Sequence, residues 1–171
     1  IIEPQPLPVE EKEPMRDQFK EIYTMSQGAL KENNLDKFAS IDLIPDKTMR
    51  IILTGDLLFE LGESNLSQDA RRSLRQLTSF IQDTPYMINV VGHTDNIPMH
   101  SARYASNWEL SVARASTVAR FLIDEMNIPP NQFVVSGYAS YRPIRANTTS
   151  QNRAKNRRVE IIISKRLPQP L

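Results

Sequence analysis

Residues Val91 to Ala115 read VGHTDNIPMHSARYASNWELSVARA, and the rest of the chain is legible as the framework that holds this stretch. The apolar run Met87 to Val91 predicts a strand. Gly92-His93-Thr94-Asp95-Asn96 stops it, with glycine and small polar residues at the strand's exit. A polar loop leads to Ser106 or Asn107, either of which can cap a helix. Apolar residues then fall at helical spacing, with Leu110, Val118, Phe121 and Leu122 on one face of a helix from Asn107 to about Met126. Arg114, four residues after Leu110 and four before Val118, is the charged member of that stripe. Two readings fit it. Its stem packs at the helix margin with the head in water, or it shares a pocket with Asp95, which leaves the neighbouring strand just before the loop that returns to this helix. Such a pair is either a structural salt bridge or a site for a small zwitterion, the guanidinium taking a carboxylate in fork geometry and Asp95 an ammonium.

Working outward, Ser67 caps a predicted helix to about Asp83 with Ala70, Leu74, Leu77, Phe80 and Ile81 on its buried side; Pro85 ends it and feeds the Met87 strand. Upstream, SIDLI and TMRIIL flank Pro45-Asp46-Lys47 and read as a hairpin with Ile41, Leu43, Met49, Ile51 and Leu53 at core or edge positions. GDLLFELGES, Gly55 to Ser64, reads as a loop with an apolar middle. Downstream, Gln132 to Tyr138 predicts a strand, Ser150 to Asn156 a short helix, and Val159 to Ser164 a strand whose unbroken apolar run suits the inside of a sheet. The pattern is an α+β two-layer sandwich, a mixed sheet with helices on one face.

The amino-terminal stretch 1–13, IIEPQPLPVEEKE, is a proline-rich tether, and 14–38 carries a loose amphipathic linker helix built on Met15, Phe19, Ile22, Tyr23 and Leu30. That helix either docks on the main domain, residues 39–166, or pairs with its twin in a dimer; 167–171 is a frayed tail. With 171 residues, 40% of them hydrophobic, the chain buries one core, and no stretch approaches the ~18 to 20 apolar residues of a membrane span.

Charge and motif content exclude several functions. Residues 1–65 carry 13 acids and 7 bases, and residues 66–171 carry 7 acids and 14 bases, so the second part is the basic one. Arg153, Lys155, Arg157 and Arg158 form a run that would suit phosphates, yet no nucleic-acid-binding signature accompanies it, and no nucleic-acid partner is expected. The chain has no cysteine and hence no disulfide or thiolate-bound zinc. His93 and Asp95, two apart on a predicted strand end and hence on one side, with His100 nearby, are a weak metal pattern, and no metal or cofactor is expected. No nucleophile elbow and no Gly-rich phosphate loop occur, so no enzyme activity is expected, a cell-wall hydrolase being the alternative within that class.

The segments GHTDN, NWELSVARA, GYASYRP and NRAKNRRVEI, in that order, resemble the OmpA-like peptidoglycan-binding domain over roughly Thr54 to Lys165. Phe59, Gly62 and Ser64 fit the family's pattern before its first core helix, and NWELS with the loop beginning N-I-P-M is similar to flagellar motor stator B subunits of the MotB and PomB type. The resemblance implies non-catalytic binding of the diaminopimelate in the peptidoglycan stem peptide through Asp95 and Arg114. Thr94, Asn107, Leu110, Arg153 and Arg157 border the same pocket; helical spacing lets Arg153 and Arg157, four apart, share a face toward ligand carboxylates while Arg158 turns away. It also implies a homodimer, a stator A subunit as partner through a membrane helix outside this chain, and a periplasmic or extracytoplasmic domain of a protein anchored in the inner membrane. A general cell-wall tether unlinked to the motor is the alternative. The loop Ile97 to Ala105 is longer than in outer-membrane members, so loop contacts do not carry over from them. Trp108 is expected to cover the core rather than to pack on a sugar ring.

Overall fold

The computed structural model describes residues 16–44 and 48–170; the tether 1–13, Pro14 and Met15 of the linker helix, the Pro45-Asp46-Lys47 turn and Leu171 lie outside them. Strands β1 (Ala39–Ile44) and β2 (Thr48–Thr54) pair antiparallel, with Ile41 opposite Ile51. β5 (Arg158–Ser164) enters between β2 and β3 (Met87–His93), antiparallel to both, so that Ile161 faces Ile51 on one side and Val90 on the other. β4 (Phe133–Gly137) completes the sheet parallel to β3, giving the order β1-β2-β5-β3-β4. The apolar run that predicted an interior strand thus belongs to the central one.

Alternation along the strands sends Met49, Ile51, Leu53, Ile88, Val90, Val159, Ile161 and Ile163 to one face, where all are fully buried. Helices α1 (Arg16–Glu32), α3 (Gln68–Thr78) and α4 (Asn107–Asp124) supply the second layer through Phe19 and Leu30, Leu74 and Leu77, and Val118, Phe121 and Leu122. Each predicted cap is in place: Ser67 Oγ accepts from Ala70 N and Ser106 Oγ from Trp108 N, both at 3.1 Å. Of the two fates open to the linker helix, the fold shows docking. The Phe19 ring meets Tyr86 edge-on at 5.9 Å and Gln27 Nε2 donates to the Ile41 carbonyl at 3.3 Å. Burying a phenylalanine contributes roughly 1.5–3 kcal/mol, so α1 stabilises the core it covers. No helix among the described residues is long and apolar enough to cross a membrane.

The other sheet face is polar at its upper end. Arg158 and Glu160 are buried there as an ion pair at 2.8 Å, and Arg158 also donates to the carbonyls of Asn156 and Arg142. Arg158 does turn away from its neighbour Arg157, into a buried network rather than into solvent. A cavity of about 620 Å³ opens on this face between Ile52, Thr54 and Ala39 of the sheet and Ala154 and Lys155 of α5 (Ser150–Asn156). Each nitrogen of its Arg158 already donates to a protein group, which leaves Asp36 and Lys155 as the charged side chains this cavity could offer a ligand.

Candidate ligand-binding cleft

Where β3 ends, the chain turns through Thr94 and Asp95 toward α4, and both residues are buried. Asp95 Oδ1 accepts the amide of Ile97 at 2.9 Å, which tightens the exit into a turn, and Asn107 Nδ2, from the first turn of α4, donates to the Ile97 carbonyl at 2.9 Å. Strand end, loop and helix start are therefore one hydrogen-bonded unit. A cleft of about 280 Å³ opens beside it, lined by Thr94, Asp95, Asn107, Leu110, Arg114 and Arg157 together with an apolar wall of Leu61, Ile97, Pro98 and Met99. Six of the seven residues expected to border a pocket thus surround one cavity.

The seventh, Arg153, is not among them. The expectation placed Arg153 and Arg157 on one helical face, but α5 ends at Asn156 and Arg157 sits beyond it in extended conformation, φ −73° and ψ 94°, so helical spacing does not relate the two. The extended turn aims Arg157 at two carboxylates. Its Nη1 donates to Asp95 Oδ2 at 2.6 Å, while Nε and Nη2 grip both oxygens of Asp56 at 2.8 Å. The two Asp56 hydrogen bonds, with the one to Asp95, raise the Arg157 pKa above its ordinary range, so it is a fixed cation.

Arg114 is held differently. It is buried on the apolar face of α4, and no carboxylate lies within ion-pair distance of it among the described residues. Its Nε donates to the Glu63 carbonyl at 2.8 Å and Nη2 to the Glu60 carbonyl at 3.3 Å, and the guanidinium lies over the Phe59 ring at 5.0 Å. Burial lowers its pKa, opposed by Asp56 and Asp95 among others, but a guanidinium starts so far above neutrality that it stays charged. The acid–base pair anticipated as Asp95 with Arg114 is in fact Asp95 with Arg157, and Arg114 faces the cleft with neutral carbonyl partners.

Asp56 was invisible in the sequence reading. It lies in α2 (Gly55–Leu58), a single turn inside what read as a loop, and its partner is Arg157, 101 residues away. A glycine-acid pair leaving a strand was the available signal: Gly55 N donates to the Arg157 carbonyl at 2.8 Å, and a Cβ on Gly55 would stand 2.4 Å from that oxygen.

Two further expectations are corrected. Trp108 does not cover the core: it is 48% exposed on the outer side of α4 and stacks on Tyr141 at 5.3 Å, because the apolar stripe of the helix passes through Leu110 and Arg114 instead. His93 and Asp95 do not share a side, since β3 ends at His93 and strand alternation stops there. The imidazole lies instead on the polar sheet face, 3.9 Å from Glu160 and stacked on Tyr138, with both ring nitrogens buried and unpaired.

Burial, with help from Arg158, lowers the His93 pKa to about 4. Neutral in both states above pH 6.5, the ring gains its proton in the unfolded chain first, so stability falls as pH drops from about 6.5 to about 4. Denaturant unfolding of the protein should therefore lose about 2–3 kcal/mol over that window relative to His93→Phe, which keeps the Tyr138 stack and has nothing to titrate. Parallel pH profiles of the two proteins would show that His93 is not buried in its neutral form.

Known proteins place these features in context. The model of the OmpA family matches residues 58–157. Motility protein B of Helicobacter pylori strain J99 is 40% identical over 115 residues, covering 66% of this chain and 44% of that relative. The crystal structure of the periplasmic domain of H. pylori MotB superposes with a TM-score of 0.67 at 34% identity, covering 74% of this chain and 78% of that one. The cell wall anchor of the T6SS from Pseudomonas aeruginosa gives a TM-score of 0.73 at 27% identity, covering 83% and 96%. This chain spans about half the length of the curated relatives it matches, 61%, 57% and 44% of three of them.

Proposed function

We propose, on the premise that this chain belongs to the OmpA family, that it binds peptidoglycan without cleaving it and, as a periplasmic or extracytoplasmic domain, ties a flagellar stator unit to the cell wall. The observation that carries the reading is the cleft itself: Asp95, Arg114 and Arg157 reach it from the β3–α4 turn, α4 and the end of α5, with an apolar wall opposite. That combination suits a ligand with carboxylate and ammonium on one carbon and an aliphatic arm behind it, which is the free end of diaminopimelate in the stem peptide. Arg114 takes the carboxylate, as planar guanidinium donors do. Asp95 takes the ammonium on the lone pairs left by Ile97 N and Arg157.

The motility protein relatives support the motor assignment, and with it homodimerisation, a stator A subunit as partner and an inner-membrane helix outside this chain. The likeness to a cell wall anchor of another machine favours a second reading, a wall tether unlinked to the motor. The sequence upstream of Ile1 separates them, a single membrane helix bearing an aspartate pointing to the stator.

Incubation with purified sacculi tests the shared core of both readings. The protein should sediment with the sacculi and release no soluble fragments. Arg114→Ala should retain its circular dichroism and lose roughly 30- to 1,000-fold in affinity, the cost of removing one partner of a desolvated charge pair. Wild-type sedimentation by Arg114→Ala would remove the cleft from the reading, and released muropeptides would make the protein an enzyme.

A further inference from the structure

We propose that the loop between β3 and α4 is a clamp that measures the length of the ligand's aliphatic arm, with Leu61, Ile97 and Met99 as its jaws and Tyr104 as the residue that positions them. The inference rests on the cleft being the peptidoglycan site, and it assigns to Ile97–Ala105 a role that the resemblance to shorter-looped members left open.

The jaws are unusual surface residues. Leu61 is 87% exposed and Ile97 56% exposed, yet both line the same cavity as Arg114 and Asp95, facing it from different loops. Large apolar side chains held at the rim of a charged cleft suit a ligand that presents methylene groups between its charged ends. Met99 crosses toward the facing loop: its Cε stands 3.1 Å from where a Cβ on Gly62 would be, and Gly62 has φ +72°, a backbone that side chains disfavour. Any residue larger than glycine there would meet Met99 and strain the turn. The two loops thus meet across the cleft at the Met99 methyl, the end of a flexible side chain, which does not by itself set their separation.

That separation is fixed away from the jaws. The Tyr104 hydroxyl and Ser64 Oγ are hydrogen-bonded to each other and both residues are buried, joining the end of the β3–α4 loop to the segment after α2. Tyr104 N donates to Ser101 Oγ at 3.1 Å, and Ser101 N donates to the Tyr104 carbonyl at 2.9 Å, so the tyrosine sits on a closed turn. The start of the loop is pinned to Asp95 and Asn107 as described above. Arg103 and Glu63 also pair at 2.8 Å, but both are well exposed, and an exposed pair contributes little. The buried hydroxyl contact is therefore the fastening that matters. It has a second effect, because Ser64 follows Glu63, whose carbonyl holds Arg114. One contact sets both the apolar jaws and the guanidinium, and hence the distance between them.

The test varies only the arm. Synthetic stem tripeptides would carry at the third position diamino diacids with one, two, three or four methylenes between the two amino-acid centres, titrated calorimetrically at one pH and ionic strength. The protein should prefer one arm length over its neighbours by about tenfold or more, the discrimination a fitted pocket achieves per methylene. Met99→Ala should reduce that preference to within about threefold, the longer arm gaining relative to the shorter. Tyr104→Phe and Ser64→Ala should each blunt the preference, and the double variant should do no more than either, as for two residues acting through one contact. If the wild type binds the whole series alike, the clamp is wrong while the cleft remains the site. If it binds none of the series, the peptidoglycan reading of the cleft fails. Unchanged preference in Met99→Ala or in Tyr104→Phe, with wild-type melting temperature, overturns the role given to that residue.

Discussion

A stem peptide with lysine in place of diaminopimelate should bind this protein roughly 30- to 1,000-fold more weakly, a difference of about 2–4 kcal/mol. Lysine keeps the arm and the ammonium and lacks only the terminal carboxylate, so the comparison isolates the group that Arg114 would take. Two of the five donors of that guanidinium are on the Glu60 and Glu63 carbonyls, and none is on a carboxylate among the described residues. A ligand carboxylate would thus be its sole anionic partner in a site where burial makes an unpaired charge costly. Asp95 offers no comparable selectivity: Arg157 already balances its charge at 2.6 Å, and both ligands present it with the same ammonium. Amidating the free carboxylate of diaminopimelate should weaken binding to a similar degree. Equal affinities for the three ligands would leave Asp95 as the structural partner of Arg157 and Arg114 as a helix-to-loop brace.

The parts of this molecule legible in the sequence are those set by neighbours along the chain. Caps at Ser67 and Ser106, the interior strand Val159 to Ser164 and the Asn107 helix all follow from spacing over a few residues. The position of Arg114 in an apolar stripe likewise placed a guanidinium in a buried setting before any tertiary contact was known. What spacing could not give was the choice of partner. Asp95 could meet either Arg114 or Arg157, and the extended backbone of Arg157 just beyond the end of α5 decides it, by turning that side chain toward Asp56 and Asp95. Trp108 shows the same limit from the other side: the expectation put it over the core, but the helix rotation that buries Leu110 and Arg114 leaves residue 108 outside. Helix ends and helix rotation are tertiary outcomes, and the site is built where both matter.

Gly92→Ala should be the most damaging single methyl that can be added to this chain's glycines, and Gly28→Ala its opposite. In the sequence Gly92 only marks the end of a strand. In the fold its Cβ would fall 1.9 Å from the carbonyl oxygen of Ser111 and 2.7 Å from the carbonyl carbon, because the first turns of α4 rest directly on β3. Gly137 on β4 makes the same seam, with Ser111 Oγ at 2.5 Å and Val112 N at 2.8 Å. The obstructing atoms at Gly92 are backbone and cannot swing aside, so the helix must move bodily. Arg114 is one turn further along it and Asn107 one turn before. A shift of the helix would lengthen the Arg114 bond to Glu63 and the Asn107 bond to Ile97, now 2.8 and 2.9 Å, and separate the charged lining of the cleft from its apolar wall. Overpacking of this kind costs about 3 kcal/mol, which for a chain of this length lowers the melting temperature by roughly 6–12 °C. Gly28 lies within α1 with nothing within 4 Å of its Cβ position, so alanine there should instead stabilise by roughly 0.5–1 kcal/mol through helix propensity. Sacculus sedimentation at a temperature where both variants are folded completes the comparison: Gly28→Ala should bind as the parent does and Gly92→Ala poorly. Equal melting temperatures, or full binding by Gly92→Ala, would show that the close approach of α4 to β3 is not what shapes the cleft.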